Sequence, residues 1–135
     1  MRRNRRDLWC RGIRGATTVA ENTREAIVAA SKELLQGMAE ANRVEVGDVA
    51  CILFSTTPDL DAAFPAAAAR QLGWTKVALL CGHEMDVPGS LRGCLRVLML
   101  VNTERRDEEI EHVYLRGAEG LRREADETWL GEDRT

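Results

Sequence analysis

The decapeptide CLRVLMLVNT, residues 94–103, constrains the fold more than any other stretch of this chain. It is apolar almost throughout, and Arg96 is the only charge inside it. A run of that length and composition, entered from glycine-containing turn residues, reads as a strand within a sheet. An arginine there needs a partner, because guanidinium groups are rarely buried unpaired. Glu84 and Asp86 are carboxylates close enough in sequence to make that pairing structural. An anionic ligand would make it functional.

The rest of the chain supplies companions for this strand. Residues 9–19, WCRGIRGATTV, combine Ile13 with the β-branched Thr17, Thr18 and Val19 and predict a first strand. Gly12 and Gly15 lie on either side of Arg14 and permit a close backbone approach or a bulge. Asn22 or Thr23 can cap a helix on which Ile27, Ala30, Leu34, Leu35 and Met38 form one apolar face, ending near Asn42. DVACILFST (48–56) and KVALLC (76–81) read as two more strands. Between them, residues 57–74 open on the Pro58-Asp59 turn and run on as a short alanine-rich helix that Gly73 stops. Residues 86–90, DVPGS, form a loop, and residues 106–123 predict a short helix, a strand-like HVYL and a helical turn. The fold class that follows is α+β, a mixed β-sheet with helices packed on one face.

At 135 residues the chain suits a single domain with its own core, and with aromatics at 4% that core must be aliphatic. A net charge of −3 argues against a nucleic-acid partner. No apolar run approaches the ~20 residues that cross a bilayer, so no membrane partner is expected. The basic opening lacks the apolar segment of a secretory signal. Cys10, Cys51, Cys81 and Cys94 form no CxxC pair, and free thiols in a reducing cytoplasm are the expectation.

Candidate chemistry gathers in CGHEMDVPGSLRGCLRV, residues 81–97. Cys81, His83 and Glu84 match no zinc-ligand spacing, and strand alternation sends Cys81 and His83 away from Glu84, so no metal is expected. Cys81 as a nucleophile has only a nearby histidine in its favour, and sequence proximity does not make a catalytic pair. An anion pocket fits better. Arg14 and Arg96 on strands, with Glu84 just past another, suit a dianionic organic ligand that guanidinium groups grip in bidentate fashion. The plainer readings are a solvated Arg14, a structural ion pair at Arg96, and Phe64 and Tyr114 as ordinary core residues.

Four stretches in matching order and spacing, RGIRGATT (11–18), TPDLDAAFPAAAAR (57–70), CGHEMDVPGSLRGCLRV (81–97) and HVYLRGAEGLR (112–122), resemble one family. It is the small monofunctional chorismate mutase that assembles as a homotrimer with a pseudo-α/β-barrel, as distinct from the all-helical chorismate mutases. The resemblance implies a domain over residues 10–122, with a basic extension at 1–9 and an acidic tail at 123–135 as loose ends. It implies conversion of chorismate to prephenate on the route to phenylalanine and tyrosine, without a cofactor, in active sites at subunit boundaries. Arg14 and Tyr114 would hold a substrate carboxylate, Cys81 and Glu84 the ring hydroxyl, and Arg96 the ether oxygen. Arg96, Glu84 and Arg14 would be catalytic. Phe64 would wall the pocket and Arg70 its basic mouth, with Leu80, Gly82 and His83 lining it beside Cys81, and Leu121 and Arg122 covering it. Ala67 stands where relatives often carry lysine, Ser90 replaces a glycine, and Arg123 follows where proline is usual. The alternatives are an imine- or enamine-processing trimer of similar shape and a non-catalytic module that binds aromatic-pathway acids.

Overall fold

The computed structural model describes residues 7–121. Its five strands are β1 (Trp9–Thr18), β2 (Val49–Thr56), β3 (Ala78–His83), β4 (Cys94–Thr103) and β5 (Val113–Tyr114), joined in one sheet of order β3-β2-β4-β1-β5. The apolar decapeptide is β4, the central strand, antiparallel to both β1 and β2. β3 runs parallel to β2, and β5 parallel to β1. The sheet is therefore mixed, and the α+β class follows from it.

Two helices cover one face. The longer, α1 (Arg24–Ala41), starts where Thr23 accepts the Ala26 N–H at 3.1 Å, so of the two candidate caps Thr23 is the one used. Its Ile27, Leu34, Leu35 and Met38 are fully buried in one cluster with Ile13, Ile52, Leu95 and Met99 from the sheet. The shorter, α2 (Ala66–Gln71), adds Ala66, Ala68 and Ala69 to the same cluster. Gly73, at φ 84°, turns the chain out of α2.

Three boundaries differ from the sequence-based expectation. Helix α2 begins at Ala66 and not soon after Pro58-Asp59, because residues 57–62 are committed to other partners. Asn22 Oδ1 accepts from Asp61 N and Ala62 N at 3.0 Å each, Thr57 exchanges main-chain and side-chain bonds with Cys94, and Asp59 accepts from Gly93 N at 2.9 Å. Strand β3 runs on to His83, paired with Thr56, since the ladder with β2 overrides the weak strand preference of Gly82. The helix expected after residue 106 is a single 3-10 turn, Asp107–Glu109.

Strand alternation puts Arg14, Ala16, Leu53, Ser55, Leu80, Arg96 and Leu98 on the face away from the helices. In one chain that face is covered at Ala16 and Cys94, which pack with Ala118, and is open at Leu80, 64% exposed, and Leu98, 39%. The Arg96 side chain is 44% exposed, so the expectation of a cation buried by its own chain is not met. Among the described residues no helix is long and apolar enough to cross a membrane.

Candidate active site

The face away from the helices builds a site around Arg96. In register, Arg96 stands between Ala16 of β1 and Ser55 of β2. Glu84 lies one residue past β3, fixed by its N–H donating to Thr56 O at 2.8 Å. One carboxylate oxygen lies 3.5 Å from Arg96 Nε, and the other accepts a hydrogen bond from Ser55 Oγ. Tyr114 is paired with Ala16 across β1 and β5, and Arg14 is two residues back along β1. These side chains line one cavity of about 290 Å³ with Leu53, Val97 and Leu98.

The electrostatics of this cavity favour an anion. Arg96 is compensated by Glu84, whereas among the described residues no carboxylate pairs with Arg14. The Arg14 guanidinium is exposed, and its main-chain N–H donates to His112 Nδ1 at 2.9 Å. Behind Arg96, burial pushes the Cys94 thiol above its ordinary value, opposed by the neighbouring Arg96 charge. Cys94 is thus a protonated core thiol with low reactivity.

The remaining expected residues gather elsewhere. A second cavity, of about 470 Å³, is lined by Phe64, Cys81, Gly82 and His83 together with Arg24, Thr56, Leu60 and the 61–65 segment. Phe64 is 73% exposed, which removes the reading of it as core. The Thr56 hydroxyl donates to Leu60 O at 3.2 Å, so His83 Nδ1, 3.1 Å from Thr56 Oγ1 and 3.2 Å from the Thr56 carbonyl oxygen, is the donor to both. Cys81 pairs in register with the buried Phe54 and faces the helices, while Glu84 serves the opposite face. Within one chain, then, Cys81 and Glu84 do not meet. Arg70 is exposed in the last turn of α2, Leu80 is exposed on β3, and Leu121 packs against Ala16, Cys94 and Ala118 beside Tyr114. Arg122 lies outside the described residues.

Sequence reasoning overlooked Ser55, His112 and Arg24. Ser55 closes an apolar run and carried no signal until β2 was placed beside β4. Arg24 is a cation at the first position of a helix, where the dipole disfavours it, and that mismatch was the readable signal.

Arginines on β1 and β4, a carboxylate just past β3 and a tyrosine on β5, positioned by main-chain pairing, have the chemistry to receive a small organic anion. The family described as chorismate mutase type I matches residues 10–125, and the chain belongs to it. It is 49% identical over 109 residues to the chorismate mutase AroH of Bacillus subtilis (strain 168), covering 80% of this chain and 86% of that protein. It is 51% identical over 113 residues to the chorismate mutase AroH of Thermus thermophilus, covering 83% and 93%. The solved chorismate mutase of Clostridium thermocellum superposes with a TM-score of 0.82 at 56% identity, covering 82% of this chain and 99% of that one.

Proposed function

We propose that this chain rearranges chorismate to prephenate, with Arg96, Glu84 and Arg14 carrying the chemistry. The observation behind this reading is the single cavity in which the Arg96–Glu84 pair faces Arg14 and Tyr114. Chorismate brings two carboxylates, a ring hydroxyl and an enolpyruvyl ether. One pericyclic step breaks the ether C–O bond and forms a C–C bond, with no proton transfer and no nucleophile. Negative charge grows on the ether oxygen as that bond lengthens. A guanidinium held beside the oxygen stabilises the transition state more than the ground state. Glu84, oriented by Ser55, accepts from the ring hydroxyl while holding Arg96 in place. Arg14 and Tyr114 fix the side-chain carboxylate so that the folded conformer is the one bound. One well-aimed donor contributes about 3–4 kcal/mol. Conformer restriction supplies the rest of the ~8 kcal/mol that marks the lower end of enzyme accelerations.

The working form in this proposal is a homotrimer. Phe64, Cys81 and His83 line one cavity, Arg14, Glu84 and Arg96 line another, and no residue lines both. A neighbouring copy that sets its Phe64 cavity against the Arg96 cavity completes the pocket and brings Cys81 to the same hydroxyl as Glu84. It also covers Leu80 and Leu98 and removes Arg96 from water, which strengthens its charge interaction. The four unpaired thiols fit a cytoplasmic setting.

The test is to follow the loss of the chorismate diene absorbance. The wild-type chain should consume it rapidly, and Arg96→Ala should fall close to the uncatalysed rate. No loss above background with the wild-type chain overturns the proposal.

A further inference from the structure

We propose that His112 is a positioning residue for Arg14, a role that rests on the carboxylate-binding function given to Arg14 above. The main-chain pairing of β5 with β1 is only two residues long, Val113 with Gly15 and Tyr114 with Ala16. Beyond it Leu115 N donates to Ala16 O at 2.9 Å. On the other side the ladder stops, and the acceptor for the Arg14 N–H is His112 Nδ1, at 2.9 Å. A side chain thus replaces the next rung of a sheet.

The main chain just before the imidazole is anchored to α1. Asn42, the 3% exposed residue that ends α1, donates from Nδ2 to Glu111 O at 2.8 Å and accepts at Oδ1 from Glu111 N at 2.7 Å. A third bond, from Nδ2 to Met38 O at 2.9 Å, fixes that amide to the helix. The sequence of ties runs from the buried end of α1, through Glu111 and His112, to the backbone of Arg14. It matters because Arg14 and Tyr114 come from different strands yet are assigned to one carboxylate. A two-residue strand is free to shear, and reactive geometry tolerates little misplacement. The contact also sets the imidazole's state: Nδ1 accepts, so the ring proton is on Nε2.

The test compares His112→Phe, which keeps the ring and loses the acceptor, with His112→Asn, whose Oδ1 can take the place of Nδ1. His112→Phe should lower kcat/KM by about tenfold, mainly through KM, and His112→Asn should stay within about threefold of wild type. Hydrogen exchange at the Arg14 amide should accelerate in His112→Phe and not in His112→Asn. Melting temperatures identify any loss of folding. Equal turnover by wild type and His112→Phe, or equal losses in both variants, overturns the proposal. Should the wild-type chain fail to turn over chorismate, the functional reading falls, and the amide exchange alone decides whether His112 anchors Arg14.

Discussion

Gly15 has no room for a side chain. A methyl group there would overlap Met38 Sδ and come within 3.1 Å of Leu34 Cδ1, both on the buried face of α1. The glycine lets α1 lie close against β1 at the residue that follows Arg14. Gly15→Ala should therefore destabilise the chain by about 1–3 kcal/mol, the usual cost of overpacking a filled core, as measured by urea unfolding. Met38→Ala in the same chain should recover part of the loss, and additive losses would sink the explanation. At this scale the charged residues that line the Arg96 cavity were legible in the sequence. Arg96 interrupts an apolar strand and Arg14 sits among glycines, so each posed a question of pairing. Their helpers were not legible, because Ser55 lies 29 residues from Glu84 and His112 lies 98 from Arg14, and only the sheet brings them together.

Among the elements, the segment of residues 84–93 has a particular task, since it leaves β3 at Glu84 and enters β4 just before Arg96. Its far end is clamped to the segment before α2 through Asp59 and Thr57, which bond Gly93 and Cys94. The Asp59 carboxyl is held below its ordinary 3.8, chiefly by a hydrogen bond from Thr57, against an opposing effect of burial, with Gly93 N–H and Arg92 adding to the depression. A carboxyl depressed in the folded state stabilises it fully above the unfolded value, and that contribution disappears as pH falls through the folded value. Asp59→Ala should melt below wild type at pH 7, and the gap should narrow as the pH is taken below 3.8. A gap independent of pH would show that the charge contributes nothing. The same clamp explains why α2 begins late. Side chains at 22, 57 and 59 hold residues 57–62 in turns, which confines the short alanine-rich helix to Ala66–Gln71. Strands with long apolar runs, β2 and β4, were readable within a residue at each end, while β3 was displaced because its partner sets its limits.

For the whole molecule, a sheet with helices on one face leaves the other to be covered by a second copy or by water. Leu80 and Leu98 are poor surfaces for water, and the cavities on the two sides of the sheet each hold part of the expected site. That division yields a prediction independent of any single rate. In the proposed trimer, Arg96→Ala should disable the strand-side half of each site, and a paired Phe64→Ala, Arg70→Ala variant should disable the other half. Each variant should be nearly inactive alone. After joint unfolding and refolding of an equal mixture, a site regains both halves only where an intact Arg96 from one copy meets an intact Phe64 and Arg70 from the next. Random assembly around a threefold axis makes that about a quarter of all sites. Activity near a quarter of wild type in the refolded mixture, with none in either variant refolded alone, would establish shared sites. If each site is built within one chain, no combination restores it, and the refolded mixture stays as inactive as its parts.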